Sequence, residues 1–205
     1  MPHMRVSPNH GLSDIIASYF PANYRGYCID VGASDGQTVN TTYGLEVVRR
    51  WKVLSVEPNP EFHEWLIGHR AFVEKCACSD FTGKATMTIN VDGPEAYSTI
   101  GEVPARGRAL YLDWKQIEVD VRTLEELLAK HEFPRLDALC IDTEGTELSV
   151  LKGIALARWR PKVIVTECWN LTGPIDDYLA GFGYTKISRV QPNALNDLFY
   201  VKEAS

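Results

Sequence analysis

No run in this chain approaches the roughly 18 consecutive apolar residues that a membrane-spanning helix requires. The first eleven residues also lack the apolar core of a signal peptide and carry Pro2, His3, Arg5, Pro8 and His10 instead. A soluble, cytoplasmic protein without a membrane span is expected. Basic charge is scarce: 21 Lys and Arg stand against 27 Asp and Glu, a net charge of −6. A surface built to neutralise phosphates is therefore not expected, and nucleic acid is not the expected partner. Cysteine is sparse and odd in number, with Cys28, Cys76, Cys78, Cys140 and Cys168 all inside apolar strand-like runs. That pattern reads as reduced core thiols rather than a disulfide framework. Cys76 and Cys78 have one residue between them and no second cysteine pair, which argues against structural zinc. There is no Gly/Ser linker and no internal repeat, so a second domain has no boundary to begin at.

What is present is ordinary globular sequence, 205 residues with 45% hydrophobic composition. One domain of this size buries about 70% of its unfolded surface. Met1-Pro2-His3 resembles an expression remnant before a start at Met4, so residues 1–10 are read as a tail and residues 11–203 as the domain. Short β-rich runs alternate with segments of helical period, the pattern of a parallel sheet covered on both faces, so the fold class is α/β. Tyr27–Val31, Val53–Glu57, Ala71–Ser79, Ala85–Val91, Ile117–Val121, Leu136–Asp142 and Val163–Val165 read as strands. Helices are expected through Tyr43 to Trp51, from Pro60 with Asn59 as N-cap, after the Thr123-Leu124-Glu125-Glu126 capping box, after Gly145, and over Ile175–Phe182. Thr185–Val190 and Asp197–Lys202 are close enough for a hairpin, which makes the last strand antiparallel. Asp92–Lys115 carries no sustained period, the longest such stretch.

The first chemical constellation is Ile29-Asp30-Val31-Gly32-Ala33-Ser34-Asp35-Gly36, a strand ending in a glycine turn at the carboxyl edge of the sheet, where open α/β folds bind ligands. The dinucleotide fingerprint G-x-G-x-x-G is missing, and Asp30 and Asp35 put negative charge where a pyrophosphate would sit. S-adenosylmethionine has a sulfonium, an ammonium, a carboxylate and no phosphate, so acids near the turn complement its positive end. Glu57, closing the second strand, is placed to accept from both hydroxyls of a ribose. Taken singly, Gly32 and Gly36 read as a structural turn and Glu57 as a solvated strand end. Their order and spacing together favour the cofactor.

The second constellation is Ile141-Asp142-Thr143-Glu144-Gly145-Thr146-Glu147, three carboxylates at the end of the strand expected beside the first. Burying such carboxylates without a ligand or donors would cost several kcal/mol, roughly. Asp142 and Glu144 are therefore the candidate catalytic residues. Glu147 reads as a partner of the next helix's positive N-terminus.

These segments, with Val56-Glu57-Pro58-Asn59-Pro60, Ala77-Cys78-Ser79-Asp80, Thr123-Leu124 and Val150-Leu151-Lys152-Gly153, resemble the FkbM family of S-adenosylmethionine-dependent methyltransferases over about Cys28 to Glu167. The resemblance implies a Rossmann-like class I methyltransferase fold, with a seven-stranded, mostly parallel sheet, an antiparallel last strand and helices on both faces. It implies O-methylation, often of sugars or polyketide-type natural products. It places Asp30, Gly32, Ala33, Ser34 and Gly36 around the methionine part, Glu57 with Pro58 at the ribose, Ala77, Cys78 and Ser79 at the adenine edge, and Asp142 beside the sulfonium. Asn40 and Thr41, read as lying early in the following helix, are the natural donors for the methionine carboxylate.

Methyl transfer from a sulfonium mainly needs alignment, but an alcohol acceptor must still lose a proton. A carboxylate base can take it, or a metal can lower the hydroxyl pKa. Asp142, Glu144 and Glu167, the last at the end of the next strand, offer hard oxygen ligands for Mg²⁺. The acceptor is expected to be a small molecule or glycan. Residues 92–115, with Tyr97, Tyr111, Trp114, Arg106 and Arg108, are the candidate acceptor-binding lid. Two other functions fit the pattern less well: a non-catalytic adenosine-ligand module of the same fold, and an NAD-dependent sugar-modifying enzyme.

Overall fold

The structure is a computed structural model describing residues 10–38, 40–91, 98–103, 108–109, 113–167, 173–189 and 197–202. In chain order the elements are α1 (His10–Ser18), β1 (Tyr27–Val31), α2 (Tyr43–Val47), β2 (Lys52–Val56), a 3-10 turn (Pro60–Phe62), α3 (His63–His69), β3 (Phe72–Glu74), β4 (Ala77–Cys78), β5 (Gly83–Asn90) and β6 (Ser98–Ile100). There follow β7 (Trp114–Arg122), α4 (Leu124–Lys130), β8 (Ala138–Ile141), α5 (Glu147–Lys152), α6 (Leu156–Trp159), β9 (Val163–Glu167), α7 (Pro174–Ala180), β10 (Tyr184–Arg189) and β11 (Asp197–Lys202).

The main sheet has seven strands in the order β10-β11-β9-β8-β1-β2-β3. β1, β2, β3, β8 and β9 pair in parallel, while β11 runs antiparallel to both β9 and β10. β1, β8 and β9 are apolar and buried along nearly their whole length because helices cover both faces. Alternation divides their side chains. Ile29, Val31, Leu139, Ile141 and Ile164 join Leu127 and Leu128 of α4, Leu151 of α5 and Leu179 of α7. Cys28, Val53, Ala138, Cys140 and Val163 join Leu12 and Ile16 of α1, Leu45 and Trp51. Asp30 follows Ile29, so it points to this second face, against α2. Chain order reverses between β1 and β8, which makes their carboxyl ends the topological switch point where such sheets hold ligands.

Expected local signals are present. Asn59 caps the 3-10 turn by accepting from the Glu61 N–H. Thr123 and Glu126 form the reciprocal capping box at α4. Cys28, Cys76, Cys78 and Cys140 are buried and form no disulfide. Among the described residues no helix is long and apolar enough to cross a membrane.

Several sequence expectations need correction. The single strand expected at Ala71–Ser79 is two, β3 in the main sheet and β4 in a second, four-stranded sheet ordered β4-β7-β5-β6. The chain changes sheets because Ala77 packs with Met87, Ile89, Val119 and Val121 in a small core of their own. Part of the stretch read as aperiodic is regular: Ser98–Ile100 pairs with β5, and Trp114 and Lys115 begin β7. The helix expected through Trp51 stops at Val47, and Trp51 is drawn into the core with its indole N–H on the Tyr24 carbonyl. α1, whose Leu12 and Ile16 are fully buried, was not foreseen; nor was α6. Cys168, Tyr97, Arg106, Tyr111 and the connection 191–196 lie outside the described residues.

Candidate active site

β1 and β8 converge so closely beyond their paired residues that only backbone fits between them. The Asp142 N–H donates to the Val31 carbonyl at 2.9 Å, and a Cβ on Gly32, whose φ is +82°, would lie 1.7 Å from the Asp142 carbonyl oxygen. The N–H groups of Gly32 and Ala33 both donate to the Val56 carbonyl, at 2.9 and 3.1 Å, which ties the turn to β2. Gly36, also at positive φ, lies against Leu66 and Arg70 of the α3 region.

Glu57 stands where β2 ends and is buried. One carboxylate oxygen accepts from the Ser34 N–H and the other from the Asn59 N–H, each at 2.8 Å. Burial pushes its carboxyl up to about 7 against the pull of these two bonds, and the charge of Asp30 adds to the rise. His63 donates through Nε2 to the Glu57 carbonyl at 2.8 Å, and burial lowers its own pKa.

Asp30 is also buried. Its Oδ2 accepts from Asn40 Nδ2 at 2.8 Å and from Thr42 Oγ1 at 2.7 Å. Asn40 also donates to the Ala33 carbonyl at 3.1 Å. Asn40 and Thr41 therefore precede α2 rather than open it, because the helix starts at Tyr43, and the Asn40 amide braces Asp30 and the turn rather than offering its N–H groups outward. Behind them lies Arg70, which nothing in the sequence singled out.

The acidic loop is shaped by Glu147, the first residue of α5. Its Oε1 accepts from the N–H and hydroxyl of Thr143, each at 3.1 Å, and from the Gly145 N–H at 2.9 Å. Burial raises the Glu147 pKa, these backbone bonds oppose the rise, and the nearby charge of Glu167 adds to it. The loop bends sharply, with Glu144 and Gly145 both at positive φ. It brings Asp142, Glu144 and Glu167 together, with one carboxylate oxygen of each within 4.8 Å of the others. Asp142 is exposed at the rim, not buried as its strand-end position suggested, while Glu144 and Glu167 are half-buried.

These parts enclose a cavity of about 250 Å³, into which Gly32, Ser34, Glu57, Pro58, Ala77, Cys78, Asp142, Glu144 and Glu167 all face. A narrow extension bordered by Asp30, Asn40 and Thr41 shares Gly32, Asp142 and Glu167 with it. Ala33, Gly36 and Ser79 line neither space. Ala33 and Gly36 shape the turn, while the Ser79 carbonyl faces Gly153, on which a Cβ would sit only 2.1 Å away. The far wall consists of Phe62 on one side, Met87, Thr99 and Ile100 of the second sheet, and Thr143 and Thr146 of the acidic loop. Met87, Thr99 and Ile100 were missed because long-range strand pairing brings them there, which no local pattern carries.

The sequence matches the family described as Methyltransferase FkbM domain over residues 30–186. Methyltransferase sdnD of Sordaria araneosa is 25% identical over 181 residues, which are 72% of this chain and 68% of that protein. The crystal structure of a methyltransferase FkbM from Methylobacillus flagellatus KT superposes with a TM-score of 0.56 at 18% identity, over 86% of this chain and 43% of that one. This chain thus spans less than half the length of that structure. The METTL16 methyltransferase domain superposes with a TM-score of 0.51 at 14% identity, over 94% of this chain and 65% of that one. The order of the seven strands agrees with this likeness in fold, and the family match covers the glycine turn, Glu57 and the acidic loop together. The chain belongs to the FkbM methyltransferase family.

Proposed function

We propose that the protein transfers a methyl group from S-adenosylmethionine to a hydroxyl of a sugar, glycan or small natural product. The observation that carries this reading is one cavity running from a buried carboxylate at the end of β2, past a glycine turn, to three carboxylates at the switch point. The donor set fits the cofactor. Glu57 has a carboxylate lone pair left on each oxygen beyond its two backbone bonds, suited to the two ribose hydroxyls. Pro58, Phe62, Ala77 and Cys78 offer an apolar slot for adenine. Asp30, with Gly32, Asn40 and Thr41, borders the space for the amino-acid end. S-adenosylmethionine supplies the methyl on a sulfonium, a charge complemented by Asp142 at the rim.

The chain's own contribution is alignment and proton removal. Asp142, Glu144 and Glu167 are the groups available to receive the hydroxyl proton, with Asp142 and Glu167 bordering both the cavity and its narrow extension. Their three hard oxygens also suit Mg²⁺, which would lower the hydroxyl pKa at the same spot. The acceptor side is assigned to the second sheet and the 92–115 segment. β5 turns Met87 into the cofactor cavity and Thr86 and Thr88 into a wider depression of about 540 Å³ that Glu102, Arg108, Trp114 and Gln116 also border. A net charge of −6 and an acidic rim favour a small or glycan acceptor over nucleic acid.

The test is calorimetric binding of S-adenosylhomocysteine, followed by mass spectrometry for a gain of about 14 Da on candidate hydroxyl acceptors with and without a chelator. Binding with transfer supports the reading. Binding without transfer to any acceptor class supports a non-catalytic adenosine-ligand module, and binding of NAD in its place overturns the cofactor assignment.

A further inference from the structure

Arg70 follows α3, and its side chain is wholly shielded from solvent. Its Nε donates to Glu46, one Nη donates to the Gly36 carbonyl at 3.2 Å and to Asn40 Oδ1 at 2.9 Å, and the other donates to Thr42 Oγ1 at 2.7 Å. One guanidinium therefore joins both ends of the segment from Gly36 to Thr42 to α2 and α3. The described residues of that segment form no strand or helix ladder of their own between the turn and Tyr43. A buried ion pair adds little net stability compared with apolar packing, so energy alone gives a poor account of a charge at this position. The planar fork does fix several oxygens at defined places, which a lysine cannot do.

The arrangement of charges is informative. Arg70 makes its direct ionic bond to Glu46, and its nearest approach to Asp30 is 3.6 Å. Thr42 lies between them, accepting from Arg70 and donating to Asp30. Glu46 is in turn held by the Ala71 N–H at 2.9 Å. Asp30 is thus oriented through hydroxyl and amide donors and shares the single arginine charge with Glu46. Two carboxylates facing one guanidinium leave a net negative charge, which complements a cation in the narrow space that Asp30 borders with Asn40 and Thr41.

We infer that Arg70 is a positioning residue for the amino-acid end of the cofactor, acting through Asn40, Thr42 and Asp30 and supported by Glu46. The inference rests on the proposed use of S-adenosylmethionine and adds a residue that touches no ligand. It separates from a merely structural role because its effect is confined to one end of the ligand. S-adenosylhomocysteine carries the amino-acid end; 5′-methylthioadenosine has the same adenosine and thioether without it.

The experiment is calorimetric titration of both ligands into the wild-type protein and Arg70→Lys, with thermal unfolding in parallel. In Arg70→Lys the affinity for S-adenosylhomocysteine is expected to fall at least about tenfold while that for 5′-methylthioadenosine stays within about twofold. Equal losses for the two ligands, or no loss for either, overturn the inference. Should Arg70→Lys not fold, Glu46→Gln, which keeps shape and packing, is read by the same ratio against the same outcomes. If the wild-type protein binds neither ligand, the cofactor reading itself fails, and the inference with it.

Discussion

The two walls of the cavity are built in different ways. On the main-sheet side, glycine turns, strand ends and buried acids interlock through backbone contacts, and nearly every polar group is held by another element. On the second-sheet side, the described residues between β6 and β7 are largely exposed. The ion pair there, Arg108 with Glu102 at 3.9 Å, has both partners well solvated, so it contributes at most about 1 kcal/mol. On the proposed function, the contrast is that of a rigid cofactor half and a permissive acceptor half. A cofactor that never changes can be met by fixed backbone, whereas an acceptor is selected by side chains that vary without endangering the fold.

Two glycines with almost the same φ give the largest test of this contrast. Gly32 has φ +82° and its Cβ would meet the Asp142 carbonyl at 1.7 Å; Gly101 has φ +81° and open space around it. Gly32→Ala is expected to lose the folded state or more than about 4 kcal/mol of it, because β1 and β8 must separate. Gly101→Ala should cost only the left-handed backbone penalty of about 1 to 2 kcal/mol. Denaturant unfolding of the two variants checks this, and equal losses would break the comparison.

Next in size is Asp142→Asn, which keeps shape at an exposed rim and removes a charge. Turnover should fall by about a hundredfold or more, with stability and S-adenosylhomocysteine affinity changed only a few fold. Once an acceptor is known, steady-state rates beside calorimetry decide this. A variant methylating at the wild-type rate, with and without chelator, removes Asp142 from both the base and the metal role.

Glu57 then links the cofactor half to pH. Its ordinary value is 4.5 and its folded value about 7. Between these values the folded protein holds a proton that the unfolded chain has released, so stability falls as pH rises from about 4.5 to about 7, by up to roughly 3 kcal/mol. Glu57→Gln should flatten that slope in unfolding curves measured at several pH values. Ribose hydroxyls prefer the ionised carboxylate, so S-adenosylhomocysteine affinity should rise as pH passes through about 7, a rise absent in Glu57→Gln. Glu57→Ala should weaken binding at neutral pH by about tenfold or more.

The same division governs what could be read in the sequence. Gly32, Glu57 and the acidic loop are local: each closes a β-strand or opens a helix, and steric limits restrict which residue types can serve there. The α/β class and the terminal hairpin followed from alternating periods and one short connection, whereas the seven-strand count came with the family resemblance. The second sheet was not legible because its identity lies in which strands pair, β4 with β7 and β5 with β7, and pairing across dozens of residues leaves no periodicity. Arg70 was hidden for a related reason. A buried arginine is sequence-identical to a surface one until its partners on β1, α2 and the turn are assembled around it. Asn40 was read as an outward donor near the site. Its neighbours Asp30 and Ala33 claim its amide, a competition visible only once the turn is folded.

The smallest expected effect concerns the acceptor half and sharpens the comparison from its other side. Arg108 is exposed and Trp114 half-buried, and both border the 540 Å³ depression beside Thr86, Thr88 and Gln116. Neither touches the cavity that Glu57 and Asp142 define. An aromatic face and a guanidinium suit a sugar ring and an anionic substituent, contacts made equally in the ground and transition states. Arg108→Ala should therefore raise the acceptor KM several fold with kcat unchanged, and leave S-adenosylhomocysteine affinity within twofold and stability within about 0.5 kcal/mol. Trp114→Ala should act in the same direction with some added loss of stability, because its residue begins β7. Steady-state kinetics on the methylated acceptor read both variants. A drop in kcat or in cofactor affinity would place this surface in the rigid half and dissolve the division, and an unchanged KM in both variants would move acceptor recognition onto Met87, Thr99 and Ile100 at the inner face of the second sheet.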